Sequence, residues 1–257
     1  MSVGWPTGTA PRRDIGVSLG GKHALVTGAS RGIGAAIARA FALAGADSVT
    51  LLARGAEALE RVAGEVEQLG ATPHTLTCDV TNPQQLGASF AQVGLLDVLV
   101  CAAGTNVPQP LDAIDLETAD RLWALNVRAG LHAAQLAVRR MPPSGGAIVF
   151  VSSQMGHVGA PRRSVYCATK HAVEGLTKAL AVELAPRGIR VVSIAPTFVA
   201  TEMTKPFLEA EGEEIVQRIP LGRLATLEEV AAAAVFAATT GAVTGCSVMV
   251  DGGWTAQ

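Results

Sequence analysis

Aromatic side chains are scarce in this chain of 257 residues, which has six Phe, three Trp and a single Tyr, Tyr166. Cysteine is scarce too. The four, Cys78, Cys101, Cys167 and Cys246, lie far apart with no C-x-x-C pair, which argues against a metal site and against a disulfide framework. Reduced thiols in a cytoplasmic protein are the simplest reading. A basic excess is missing: the formal net charge is -2 and the arginines are dispersed, so nucleic acid is not an expected partner. No apolar run reaches the roughly 20 residues that a bilayer requires, so no membrane association is expected, and the alanine-rich stretch 231–238 reads as a buried helix. Residues 1–18 lack the apolar run of a signal peptide and read as a flexible tail. No repeat or low-complexity linker divides the remainder, so 19–257 is expected to form one domain. With 49% hydrophobic and 16% charged residues, it can bury one sizeable core.

Short apolar runs bounded by turn signals are plentiful: HALVT (23–27), SVTLLA (48–53), HTLTC (74–78), DVLVC (97–101), AIVFVS (147–152), RVVSIA (190–195) and CSVMV (246–250). Their hydrophobicity is continuous rather than alternating, as in strands covered on both faces. Between them lie amphipathic segments with helical spacing: 33–43, 57–68, 84–92, 118–140, 165–184 and 227–238. Strand and helix alternate throughout. This predicts an α/β fold, a single Rossmann-like domain with a doubly wound parallel sheet of about seven strands, whose ligands bind at the carboxyl ends of the strands.

The stretch TGASRGIG (27–34) carries the first strand into the first helix through Gly28, Gly32 and Gly34. Glycines allow a tight turn and close approach of backbone to a pyrophosphate, whose charge then faces the free N–H groups of the helix N-terminus. The spacing is G-x-x-x-G-x-G. About 20 residues on, where an acidic residue would meet the ribose of NAD, the chain has Ala53 and Arg54 instead. An arginine suits the extra phosphate of NADP, and Arg31 offers a second positive charge. NADP(H) is therefore expected in preference to NAD(H).

Tyr166 and Lys170 are four residues apart on a predicted helix, hence on one face. A phenol is a poor acid–base group at neutral pH, but a neighbouring ammonium favours the phenolate. The pair is a candidate acid for a carbonyl oxygen and, by reversibility, a base for an alcohol. Ser152 and Ser153 end the preceding strand, where a hydroxyl could bond the same substrate oxygen.

The chain resembles the short-chain dehydrogenase/reductase family from Lys22 to Gly253. The resemblance rests on TGASRGIG, CDV (78–80), CAAG (101–104), LNV (125–127), VSS (151–153), YCATK (166–170), IAPTFVATEM (194–203) and VDGG (250–253). It implies that Tyr166 is the catalytic acid/base, that Ser153 orients the substrate oxygen, and that Lys170 lowers the tyrosine pKa and holds the nicotinamide ribose. It implies a proton-relay water on Asn126, an adenine contact at Asp79 and Val80, and a carboxamide contact at Val199 and Thr201. Ser30, Ile33, Ala103, Gly104 and Pro196 complete the implied dinucleotide site. Two supporting positions depart from the family pattern: the usual N-A-G reads Ala102-Ala103-Gly104, and the usual P-G reads Pro196-Thr197. A homotetramer, or a homodimer, is also implied, and the alanine-rich helix from Leu227, the CSVMV strand and an exposed Trp254 are compatible with an interface.

The segment QMGHVGAPRRS (154–164) is expected to line the substrate pocket, with Gln154, His157 and Arg163 as contacts. Its positive charge suits an anionic or polyhydroxylated substrate: a keto acid, a sugar acid or a 3-oxoacyl group. Solvent or a neighbouring subunit is an equal destination for Arg162 and Arg163. The polar stretch 201–214 reads as a mobile lid carrying Met203 and Phe207. The expected reaction is reversible hydride transfer between nicotinamide and a carbonyl carbon, interconverting a ketone and a secondary alcohol. An NAD-dependent sugar or sugar-acid dehydrogenase, and a non-catalytic dinucleotide-sensing regulator, are the alternatives.

Overall fold

Seven parallel strands make one sheet in the order β3-β2-β1-β4-β5-β6-β7. They are β1 His23–Thr27, β2 Ser48–Ala53, β3 Thr72–Thr77, β4 Val98–Cys101, β5 Gly146–Val151, β6 Ile189–Pro196 and β7 Ser247–Val250. The computed structural model describes residues 17–257, so most of the expected tail, 1–16, lies outside the described residues. Helices α1 Gly32–Leu43, α2 Ala56–Gln68, α3 Pro83–Ala91, α4 Leu116–Trp123, α5 Ala129–Val138, α6 Ser164–Leu184, α7 Lys205–Gln217 and α8 Leu227–Thr239 connect them.

Successive strand residues point to opposite faces, and in the inner strands β1, β2, β4, β5 and β6 both faces are largely buried. Ala24, Val26, Val49, Leu51, Val98 and Val100 join one core with α1, α2 and α8. Leu25, Leu52, Leu99, Ile148 and Phe150 join a second core with α3, α5 and α6. Ala231, Ala234, Ala237 and Ala238 of α8 pack inside the chain against α1 and the sheet, while Phe236 on the same helix stays exposed. Strand order reverses between β1 and β4, which opens a crevice beyond their carboxyl ends.

Three expectations change. The segment 118–140 is not one helix: α4 and α5 are separated by a π-helical turn, Ala124–Arg128, that contains Asn126. The stretch expected to be a lid forms a helix, α7, kinked at Glu211. Its Pro206 reads as a breaker in sequence but sits in the first turn, where the missing N–H would have no intrahelical partner anyway. Trp254 is half-buried rather than exposed, packed in a third apolar cluster with Phe198 and lying 4.5 Å beneath the Arg218 guanidinium.

Candidate active site

The turn after β1 is shaped by contacts within the chain. A Cβ on Gly28 would lie 2.8 Å from the Ala103 backbone, and one on Gly34 would lie 2.3 Å from the Gly28 carbonyl oxygen. Both glycines are thus required by crossing backbones. Gly32 differs: at φ +55 its only near neighbour is the Thr201 side chain, so the space beside it is open. Arg31, at the N-cap of α1, provides no side-chain cap, and the first turn has no acidic residue. The helix dipole and its leading N–H groups therefore remain uncompensated by any side chain.

Thr27 does the bracing that the missing Asn of N-A-G suggested would be lost. Its hydroxyl accepts from the backbone N–H groups of Ala102, at 3.1 Å, and Ala103, at 3.3 Å. Asn126 ties the same loop to α6. Its Oδ1 accepts from the Thr105 N–H at 2.9 Å, and its Nδ2 donates to the Thr105 carbonyl at 2.9 Å and to Thr169 Oγ1 at 3.1 Å. Both amide protons are used, leaving one lone pair of Oδ1 for a further donor.

Tyr166 and Lys170 share one face of α6, as their spacing requires. The Lys170 ammonium is buried, donates to the Val151 carbonyl at 2.8 Å, and lies 5.6 Å from the centre of the Tyr166 ring. Burial pulls its pKa down to about 8, against the opposing pull of Glu174. Tyr166 keeps part of its ring accessible, yet burial around the hydroxyl pushes its pKa up to about 12; Ser153 and Arg163 act in the opposite direction. The expected depression of the phenol pKa by Lys170 is thus absent in this state of the site. Ser153 also accepts from the Met155 N–H at 3.2 Å, which fixes its hydroxyl at the mouth of the loop toward α6.

Known proteins match this chain in sequence and in fold. A family model described as enoyl-(acyl carrier protein) reductase covers residues 28–255. The chain belongs to the short-chain dehydrogenase/reductase family. This short-chain dehydrogenase/reductase is 39% identical to D-threitol dehydrogenase of Mycolicibacterium smegmatis, over 94% of its own length and 96% of that protein. A short-chain type dehydrogenase/reductase from Mycobacterium marinum has the same fold at a TM-score of 0.90 and 38% identity, covering 94% of this chain and 98% of that one. A gluconate 5-dehydrogenase from Burkholderia cenocepacia, solved with NADP and tartrate, is 31% identical with a TM-score of 0.89, covering 94% and 98%. Membership makes the protein an NAD(P)-dependent oxidoreductase of CH–OH and C=O groups.

The residues of this dehydrogenase/reductase fit a dinucleotide. The uncapped start of α1 offers N–H groups to a pyrophosphate through Gly32, Ile33 and Gly34, beside Ser30. Thr201 lies against Gly32, and Val199 is held by a bridge to Ala225, so both border the glycine turn or the strand end beside it. Pro196 ends β6 at the same edge of the sheet. Gly104 approaches both Asn126 and Lys170, with only 3.3 Å and 3.7 Å between an added Cβ and their polar atoms. Asp79 accepts from the Thr81 N–H and hydroxyl, at 2.9 Å and 2.8 Å, which holds its carboxyl below the usual range, while Val80 is buried in the second core. The two arginines are differently engaged. Arg31 is ion-paired with Glu202, and Arg54 is exposed at the end of β2, close enough for its charge to act on Asp79.

A cleft of about 390 Å³, mouth included, opens beside the phenol. Ser153, Gln154, Arg163, Tyr166 and Met203 line it, as expected from the sequence. His157 does not. Its ring is bonded to Ser247 at 3.2 Å and faces the buried Glu174 carboxylate at 3.4 Å, so the tight turn 154–156 carries it to the β7 side. Arg162 is exposed, whereas Arg163 is buried, which separates two residues that the sequence left equivalent. Asn106, Thr197 and Phe198 also line it and were not expected there. Each follows a strand at its carboxyl end, the one signal that would have marked them.

Proposed function

We propose that the protein is an NADP(H)-dependent enzyme that interconverts a ketone, whether keto acid, 3-oxoacyl or sugar-derived, and a secondary alcohol, with Tyr166 as the proton-transferring group. The observation that carries this reading is the meeting of Tyr166 and Ser153 on one wall of the cleft, with the Lys170 ammonium buried behind them. The dinucleotide, when bound, supplies or accepts the hydride. Tyr166 donates its phenolic proton to the substrate oxygen in reduction and takes it back in oxidation. Ser153 directs its hydroxyl at the same oxygen and stabilises the charge developing there. Lys170 has one N–H fixed by the Val151 carbonyl, leaving two donors for the site and a positive charge that favours the phenolate once the surroundings admit it. Asn126, with an unused lone pair beside Gly104, is placed to hold a water of the proton path.

Arg31 and Arg54 support NADP(H). The Arg31–Glu202 pair supports the second reading, an NAD-dependent dehydrogenase of sugars or sugar acids, because Glu202 would repel the additional phosphate of NADP. A sensor without turnover has no use for a phenol, a hydroxyl and a buried ammonium at one cleft, and that alternative is not retained. Assembly as a homotetramer is part of the proposal: Leu116, Trp123 and Leu131 on α4 and α5, Val182 on α6 and Met249 on β7 are exposed apolar residues that a partner subunit would cover.

The test is a panel of ketones, 3-oxoacyl esters and polyols followed at the nicotinamide absorbance with each cofactor, for wild type and Tyr166→Phe. Turnover should fall about 100- to 10,000-fold in the variant while dinucleotide affinity is unchanged. Retained turnover would remove Tyr166 from the mechanism.

A further inference from the structure

Arg163 is the one strongly cationic side chain in the wall of the cleft, and its setting is unusual. It is 8% exposed and, among the described residues, forms no ion pair and donates no side-chain hydrogen bond. Its guanidinium lies 4.4 Å from the ring centre of Phe207 and 5.7 Å from that of Phe198. Such aromatic faces offset part of the cost of burying a cation, but they satisfy none of its five N–H donors. Burying a charge without a partner is costly, so an arginine in this position is stabilised by whatever anion enters the cleft.

The backbone holds it there. Arg162 has φ +61, a left-handed conformation that non-glycine residues seldom adopt, and its carbonyl accepts from the Gln109 N–H at 2.8 Å. That turn sends Arg162 outward and Arg163 inward as the N-cap of α6, three residues before Tyr166. One helical turn separates the two Cβ atoms by about 5–6 Å.

The rest of the wall is short of hydrogen. Asn106 Oδ1, Gln154 Oε1 and Thr197 Oγ1 are buried in the cleft lining and have no hydrogen-bond partner among the described residues. Two of the three can only accept, and buried acceptors call for hydroxyl donors.

We infer that the substrate is a short polyhydroxy carboxylate, or its keto form, whose carboxylate is held by Arg163 and whose hydroxyls donate to Asn106, Gln154 and Thr197. The inference rests on the proposed use of this cleft for substrate. It excludes a neutral polyol as the preferred substrate. It also excludes a carrier-linked 3-oxoacyl chain, whose nearest anion is too many bonds from the reacting carbonyl to meet a cation one helical turn from the phenol. Glu211, exposed at the kink of α7, is the nearby carboxylate whose charge reaches Arg163, but it makes no ion pair with it.

The experiment compares pairs of one carbon skeleton that differ in charge, D-gluconate with D-sorbitol and D-threonate with D-threitol, by turnover and by calorimetric binding to the enzyme–NADP complex. Wild type should bind and turn over each acid about 10- to 100-fold better than its alditol, the range of a charge-assisted hydrogen bond. Arg163→Gln should lose that margin through KM while its NADPH affinity stays at the wild-type value, and Arg163→Lys should recover part of it. Equal handling of acid and alditol by wild type, or an Arg163→Gln variant that weakens both alike, would overturn the inference. So would Glu211→Gln reproducing the Arg163→Gln profile, since Arg163 would then be an internal partner of α7. If the acids bind with the predicted margin but no member of the panel is turned over, the inference stands and the proposed function fails.

Discussion

The Lys170 ammonium donates to the Val151 carbonyl at 2.8 Å and lies 5.6 Å from the centre of the Tyr166 ring, so it faces the phenol's ring without bonding its hydroxyl. The two groups are poised apart: burial holds the phenol up to about 12 and the ammonium down to about 8. At neutral pH the phenol is therefore fully protonated and the lysine mostly charged, which is the state a carbonyl reductase needs before its substrate arrives.

The direction of catalysis should consequently divide by pH. Reduction uses the protonated phenol, which is lost only as pH rises through its pKa. Oxidation uses the phenolate, which is gained over the same rise. With saturating dinucleotide, kcat/KM for reduction should be flat from about pH 6 to 8, and that for alcohol oxidation should climb toward the alkaline range. Parallel rate profiles in both directions check this, and a flat oxidation profile contradicts it.

Much of this arrangement was legible from the residues alone. The seven strands lie within two residues of the apolar runs at every end, because a sheet covered on both faces writes itself as continuous hydrophobicity. Tyr166 and Lys170 were legible from a spacing of four. What escaped notice depended on tertiary contact. The π-helical turn at Asn126 leaves the apolar pattern of 118–140 nearly intact, so periodicity cannot reveal it. His157 and Arg163 are both basic residues of one loop, and only the tight turn at 154–156 and the left-handed Arg162 decide which enters the cleft. Helix α7 was obscured by Pro206 and by a polar composition that packs on the body of the protein through few side chains, Ile215 being its buried one.

Cofactor preference should turn on three residues. Removing either positive charge, by Arg31→Ala or Arg54→Ala, should weaken NADPH by about 10-fold or more with little change for NADH. Glu202→Gln should do the opposite, because it releases Arg31 from its present partner and removes a carboxylate from the mouth of the site. Fluorescence titration with both dinucleotides reads the result. A Glu202→Gln enzyme whose NADPH affinity falls would show that the pair serves binding rather than competes with it.

The glycines of the first turn should separate into two kinds. A methyl group on Gly34 meets the Gly28 carbonyl oxygen at 2.3 Å, with backbone on both sides and no flexible atom to move. Gly34→Ala should therefore destabilise the empty protein by about 1–3 kcal/mol, several degrees in Tm for a domain of this size. Gly32→Ala meets no such clash, carrying only the strain of a left-handed residue, about 1–2 kcal/mol. Its larger effect should fall on dinucleotide affinity, since its methyl would stand in the open space before α1. Thermal melts with and without NADPH distinguish the two variants.

Lys170 should reveal itself in stability as well as in rate. Its native pKa of about 8 lies below the ordinary 10.5, so between these values the unfolded chain binds more protons than the folded one. Lys170's contribution to stability must then rise with pH from about 8 to 10, whereas Cys101, held up to about 12 by burial, and Cys78, also raised, contribute in the opposite sense once unfolded thiols ionise. At neutral pH the buried charge costs on the order of 3 kcal/mol, partly offset by its hydrogen bond to Val151. Lys170→Met removes both the cost and the bond. The variant should be inactive, at least as stable as wild type at pH 7, and its stability relative to wild type should fall as pH rises from about 8 to 10. Urea melts across that range provide the measurement. A difference between wild type and variant that stays flat between pH 8 and 10 would mean that the lysine is charged as freely in the folded protein as in water, and that it is not buried behind the phenol at all.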